Sequence, residues 1–390
     1  MIRAVVASRR WWLLAVVILV GAGIFWALTR PPSAPGEPTL ALAPATPESG
    51  FAYAEEIQRI SLPADHGPHP AYQTEWWYYT GNLETVEGRH FGYQLTFFRR
   101  GLTPEPVERN ADFAAQSIYF AHLALTDVEA GEHQNWERFS RGAAGLAGAQ
   151  GDGFRVWLGP WSVDALDPDG SQVRVQASID GVGLDLRLEA AKPLVLHGDR
   201  GLSPKSEQAG NASYYVSYTR MQTTGEVSVK GTTFVVTGES WFDHEWSTSA
   251  LGPQAVGWDW FSLQLSDGRE LMYFRIRDQD GSIEPVSSGT LVSADGTTTK
   301  IQREQVSIEV LAEWTSARSG ASYPSRWRLR LPSADLDLTI DPWLSDQEMD
   351  VSFTYWEGAV RITGTAAGQS VTGNGFVELT GYAESMQGTF

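Results

Sequence analysis

Gly238-Glu239-Ser240-Trp241-Phe242-Asp243-His244-Glu245-Trp246, followed eleven residues on by Gly257-Trp258-Asp259-Trp260, is the stretch on which the reading of this chain turns. Side chains of a β-strand point alternately to its two faces. Ser240, Phe242, His244 and Trp246 then share one face, and Glu239, Trp241, Asp243 and Glu245 the other. The first face is mostly apolar, which points His244 inward among rings, either as a satisfied core residue or as a catalyst. The second face reads as solvated, with Asp243 and Glu245 in water. In the following stretch Asp259 shares a face with Phe261, Leu263 and Leu265, while Trp258 and Trp260 face the other way. A carboxyl on an apolar face loses hydration and its pKa rises, so Asp259 is a candidate proton donor. The alternative is a buried carboxylate held by Arg275, which lies with Tyr273 on one face of the next strand.

Outward from this stretch the chain is all strands and turns. Thr74–Leu83 and Phe91–Arg99 flank a loop containing Glu87-Gly88, and Gly257–Leu265 and Glu270–Arg277 flank Ser266-Asp267-Gly268-Arg269, an Asp-Gly hairpin signal. No long amphipathic helix is evident beyond residue 50. The 390 residues, with Gly 39, Pro 20, Trp 16, Phe 16 and Tyr 13, suit two aromatic-rich β domains. The domains are read as residues 51–248 and 249–390.

A net charge of −18 repels a phosphate backbone and argues against nucleic-acid binding. Cysteine is absent, which excludes a disulfide framework, a thiolate nucleophile and a Cys-based metal site. The seven histidines are scattered, with only His66 and His69 close together, so no metal and no cofactor is expected. There is no Gly-x-Ser-x-Gly elbow.

Arg3, Arg9 and Arg10 precede an apolar run from Trp11 to Leu28. Eighteen residues at about 1.5 Å rise span about 27 Å, close to the apolar thickness of a bilayer. Residues 1–30 therefore read as a transmembrane signal anchor or a signal peptide. The charge asymmetry sends the remainder to the periplasmic side of a bacterial inner membrane, or into the periplasm or medium if the segment is cleaved. Residues 31–50, rich in Pro and Ala, read as a tether.

Glu75-Trp76-Trp77-Tyr78-Tyr79 is the second dense cluster. Glu75, Trp77 and Tyr79 share a face. Aromatic walls of this kind bind a long apolar ligand or steady a cation, or are plain barrel packing. His122 shares a face with Ile118, Phe120 and Ala124 and is read as core or as ligand-binding.

These residues, with Asp65-His66-Gly67, Ala121-His122-Leu123-Ala124, Leu196-His197-Gly198-Asp199-Arg200-Gly201-Leu202-Ser203, Asn211-Ala212-Ser213-Tyr214-Tyr215 and Val377-Glu378-Leu379-Thr380-Gly381-Tyr382, resemble the AttH-like and carotenoid 1,2-hydratase (hydroxyneurosporene synthase) superfamily. The likeness is greatest to its exported branch, often labelled "predicted secreted hydrolase". The resemblance implies two tandem lipocalin-like β-barrel domains with a pocket for a lipid, an isoprenoid or a carotenoid-like molecule. It implies either cofactor-free hydratase-like or hydrolase-like chemistry, or a non-enzymatic lipid carrier or accessory protein of an ABC-type transporter permease. His244 and Trp246 fit the family's His-x-Trp element and Tyr273 the Tyr of its Tyr-x-Asp pair, while Arg275 stands at the Asp position. The expected catalytic set is His244, Asp259, Tyr273 and Glu75. The expected ligand-binding set is Trp76, Trp77, Tyr79, His122, Trp246, Trp258 and Trp260, with the face of His244 and Trp246 as the pocket wall.

Overall fold

Two antiparallel sheets hold most of the described residues of this computed structural model, which describes residues 50–104, 114–249 and 251–387. The expected membrane segment, 1–30, and all of the tether but Gly50 lie outside the described residues. No helix among the described residues is long and apolar enough to cross a membrane.

The first sheet has thirteen strands. Its centre is Thr74–Glu84, flanked by His90–Gly101 and Thr232–Ser249, with Ala212–Val229 beyond. The path runs outward to Glu132–Arg141 on one side and Ala147–Gln150 on the other, and residues 142–146 join these two edges. The sheet wraps round Trp77, Tyr79, Leu95, Phe97, Leu123, Trp161, Leu186 and Phe242. The second sheet has ten strands. Ala255–Leu265 lies centrally between Glu270–Asp278 and Gln369–Leu379, with Thr354–Ala366 next. It encloses Phe261, Leu263, Leu271, Tyr323, Trp327, Leu338 and Trp356. The architecture is two tandem barrel-like sheets. The last strand of the first ends at Ser249 and the first strand of the second begins at Ala255.

The hairpins follow their turn chemistry. Asp267-Gly268 reverses the chain with Gly268 at φ 81°, a conformation that glycine adopts without a Cβ penalty. Both sheets belong to one compact unit, and they meet through the faces opposite their own cores. Tyr78, Tyr215, Trp241, Trp260, Met272, Phe274 and Phe376 form the apolar contact. At Gly92 the approach is tight: a Cβ there would lie 2.5 Å from the Ala359 Cβ. Polar ties complete the junction. Gln264 donates to the carbonyls of Thr219 and Ser240 at 2.9 and 3.0 Å, and Glu270 of the second sheet accepts from Lys192 and Arg220 at 2.7 and 2.6 Å.

Candidate active site between the barrels

The alternation of Thr232–Ser249 holds, but its two faces meet different surroundings from those expected. The face of Trp241, Asp243 and Glu245 is covered by the second sheet, and Asp243 and Glu245 are buried, not solvated. A single strand carries no sign that another sheet will dock on its polar side. A cavity of about 90 Å³ lies between the sheets. Trp76, Tyr78, Trp258, Trp260, Phe274 and Tyr355 form its aromatic wall, and four carboxyls line it: Asp243, Glu245, Glu357 and Glu378. Among the described residues Lys205 is the one cation in the lining. Its Nζ lies 3.2 Å from Glu245 and over the rings of Tyr215 and Phe274, at 5.0 and 4.3 Å from their centroids.

These carboxyls sit in apolar surroundings, which disfavour the charged form. Burial pushes Asp243 up to about 7, although Ser217, Tyr215 and Trp241 all donate to it, the last two at 2.7 and 2.6 Å. Burial raises Glu245 as well, against the pull of Lys205. Glu357 and Glu378 are direct cross-strand partners and so share a face. Burial, reinforced by the charge of Glu378, lifts Glu357 well above the carboxylate range. Burial lifts Glu378 to about 7, where Trp258 Nε1 donates to it at 2.6 Å. Tyr78 donates its hydroxyl to Glu357 Oε1, and the buried Oε2 of Glu357 has no hydrogen-bond partner among the described residues. The pair therefore comprises one neutral carboxylic acid with a free oxygen beside a carboxyl that titrates near neutrality.

Of the residues singled out from the sequence, Trp76, Trp258 and Trp260 line this cavity. His122 does not; it stands behind the wall, its Nδ1 2.9 Å from the Tyr355 hydroxyl and its Nε2 2.9 Å from Glu137. Trp77 and Tyr79 face the core of the first barrel, His244 stacks on Trp77, and Trp246 packs beside it with Tyr72, Tyr214 and Val216, so the expected pocket wall is on the side of the sheet away from this cavity.

Glu75 and His244 belong to a buried ionic network in that first barrel. Glu75 Oε1 accepts from His69 Nδ1 at 2.7 Å and His244 Nε2 at 2.9 Å, and Oε2 accepts from Arg99 Nε and the His69 backbone N–H at 2.8 and 2.9 Å. Burial works against ionisation, yet Arg99 and His69 hold Glu75 well below the usual range. Burial would also lower His69, but Glu75 and Asp65 hold it up at about 9. The His69 ring stacks on Trp246 at 3.8 Å. Burial keeps His244 neutral, with its Nε2 proton directed at Glu75. Ligand atoms of His69, Glu75 and His244 lie within 4.8 Å of one another, a spacing that a metal ion could use. Without an ion the charges already balance, Asp65 and Glu75 against Arg99 and protonated His69, and both oxygens of Glu75 accept hydrogen bonds.

Asp259 faces the core of the second barrel and is an ion-pair centre, not a free acid. Arg275 and Arg277 reach it at 2.7 and 2.9 Å, and Tyr382 donates at 3.0 Å. Tyr273 packs in the same core. The four expected catalytic residues are thus split between the interiors of two barrels and cannot converge on one ligand. Sequence reading missed Tyr78, Tyr355, Glu357 and Glu378. The signal existed: Glu357 and Glu378 sit alone within the apolar runs Tyr355-Trp356-Glu357-Gly358-Ala359-Val360 and Phe376-Val377-Glu378-Leu379.

A family model for AttH-like proteins matches residues 53–382. Among solved structures, the AttH candidate NE1406 from Nitrosomonas europaea is 35% identical, covers 85% of this chain and 100% of its own, and superposes with a TM-score of 0.75. Kievitone hydratase from Nectria haematococca is 17% identical over 87% of this chain and 98% of its own, with a TM-score of 0.64. CghA is 13% identical over 86% and 96%, with a TM-score of 0.52. The last two establish likeness of fold alone. No curated protein matches the chain. The match across nearly all of both sheets, with the identity to NE1406, shows that the chain belongs to the AttH-like family.

Proposed function

We propose that this protein is a cofactor-free acid–base enzyme that adds water to, or removes it from, a carbon–carbon bond of a small apolar molecule held between the barrels. The observation that carries the reading is Glu357: fully buried, kept neutral, with one oxygen unpartnered, in the lining of an aromatic cavity and opposite Glu378.

The chemistry balances on these two groups. The Glu357 carboxyl gives its proton to one alkene carbon, and the π pair becomes the new C–H bond. The cation left on the neighbouring carbon lies among Trp76, Trp258, Trp260 and Tyr78, whose ring faces attract it. A water oxygen supplies the pair for the new C–O bond while the Glu378 carboxylate takes the water's proton. Return of that proton from Glu378 to Glu357 resets the pair, and dehydration is the same path reversed. Kievitone hydratase, named for water addition, shares the fold.

Other roles fit less well. A carrier has no use for a neutral carboxyl in its binding wall, since apolar residues alone would hold the molecule. A serine hydrolase would need a hydroxyl that gives its proton to histidine. Here Ser217 gives its proton to Asp243 and accepts one from His197 Nε2 at 2.7 Å. In this reading the enzyme works on the periplasmic side of the inner membrane, a location supported by Arg9 and Arg10 before the apolar run Trp11 to Leu28.

The test uses the purified full chain, a panel of small branched acyclic alkenes with their tertiary alcohols, and ¹⁸O-labelled water, with mass spectrometry as the readout. Incorporation of one labelled water, abolished in Glu357→Gln, is expected. Turnover that survives Glu357→Gln would remove the proposed acid.

A further inference from the structure

A second cavity, of about 290 Å³, lies at one end of the second barrel and shares no lining residue with the first. Tyr273, Arg275 and Arg303 give it a polar wall, and Ile283, Val306 and Ile308 an apolar one. Val306 and Ile308 pack against the core that contains Tyr273, so the cavity is a mouth into the barrel interior. Tyr273 and Phe274, adjacent in one strand, separate the two sites: Phe274 lines the cavity between the barrels and Tyr273 lines this one.

Charge selects the occupant. Arg275 and Arg277 are both tied to Asp259. Arg303 is half-buried and forms no ion pair among the described residues, while Glu304, beside it, is exposed at the rim. Three guanidiniums against two carboxylates leave one unit of positive charge, in a chain whose net charge is −18. Arg303 and Glu304 are both close enough to Tyr273 for their charges to act on the phenol, in opposite senses, and Glu304 is the more exposed of the two. A planar guanidinium fork matches a carboxylate, and the single excess charge matches a monoanion better than a phosphate dianion. The volume is at the lower edge of small-molecule pockets, about 300 Å³, which limits the ligand to a short chain.

We propose that this mouth binds a small organic carboxylate, its head on Arg303 and Tyr273 and its aliphatic tail along Ile283, Val306 and Ile308. The site is independent of the acid–base pair between the barrels.

Titration calorimetry of the full chain with octanoate tests the proposal, with octanol and inorganic phosphate as probes lacking the charge or the tail. Saturable binding of one octanoate is expected, weakened about tenfold or more by Arg303→Met. Ile308→Trp, which fills the mouth, should abolish binding while the melting temperature holds, and Glu357→Gln should leave binding intact. The proposal is overturned if octanoate fails to bind, if Arg303→Met and Ile308→Trp both leave its affinity unchanged, or if octanol or phosphate binds as tightly.

Discussion

Replacing Glu378 by Gln should make the protein more stable at alkaline pH, which is unusual for the removal of a buried, hydrogen-bonded acid. Gln has the shape of the protonated carboxyl and can still accept from Trp258 Nε1. In the wild type, burial raises the Glu378 pKa from 4.5 to about 7. The folded state therefore holds this proton more tightly than the unfolded state does, and unfolding releases it throughout that interval. The contribution is fully present below about pH 4.5 and is lost as pH rises through about 7. Each pKa unit is worth about 1.4 kcal/mol, so roughly 2.5–3 kcal/mol of wild-type stability disappears between about pH 5 and about pH 8. Gln has no proton to lose. Urea unfolding of both proteins at these two pH values should show the variant gaining about that amount on the wild type. Buried His66 and half-buried His90, both lowered to about 4, titrate in the same window with the opposite sign. They are present in both proteins and cancel in the difference. A variant-minus-wild-type difference that is the same at both pH values, or that falls at the higher one, would show that Glu378 is not held neutral by its surroundings.

Tyr78→Phe removes the donor to Glu357 Oε1 and should cost about 1–3 kcal/mol in denaturant unfolding; an unchanged midpoint would mean that the hydroxyl carries no weight there. Glu75→Ala strands the charges of Arg99 and His69 and should cost about 3–5 kcal/mol, read from the same unfolding curves, and a loss below about 1 kcal/mol would contradict the buried-network reading. EDTA should leave the melting temperature of the wild type unchanged, because that network is already neutral; a fall reversed by zinc would show that an ion holds it. Gly92→Val drives a side chain into Ala359 and should destabilise by about 1–3 kcal/mol, with an accompanying change in tryptophan fluorescence from the junction; full stability would show that the sheets part at no cost.

Strand periodicity made much of this architecture legible. The hairpin reading of Thr74–Leu83 with Phe91–Arg99 falls inside the observed strands Thr74–Glu84 and His90–Gly101. It worked because the turn residues and the alternating pattern agree. Glu132–Arg141 was not legible: it is half-buried along nearly its whole length, so neither face carries an apolar stripe. At the site, alternation correctly divided Asp243 and Glu245 from His244 and Trp246. It could not say which face would meet a second sheet. A strand buried on both sides looks half-wet when one side is lined with acids. The motif residues Asp65, His69, Glu75 and His244 were conspicuous for their chemistry, and that chemistry closes on itself as an ionic plug. The acids nearest to reactivity are isolated among valines, leucines and rings, where charge density gives no cue.

Asp243, His244 and Glu245 are consecutive, yet one strand's thickness assigns them to separate tasks. The even-numbered residues answer to the barrel core, and the odd-numbered ones to whatever lies in the cavity. Asp243 and Glu245 line the cavity from the face opposite the plug that Glu75 and His244 hold together, while Trp241 packs in the apolar contact between the sheets. A strand divided in this way keeps the ionic plug and the cavity lining on opposite faces, so a change at Asp243 or Glu245 reaches the lining without meeting Glu75 or His244.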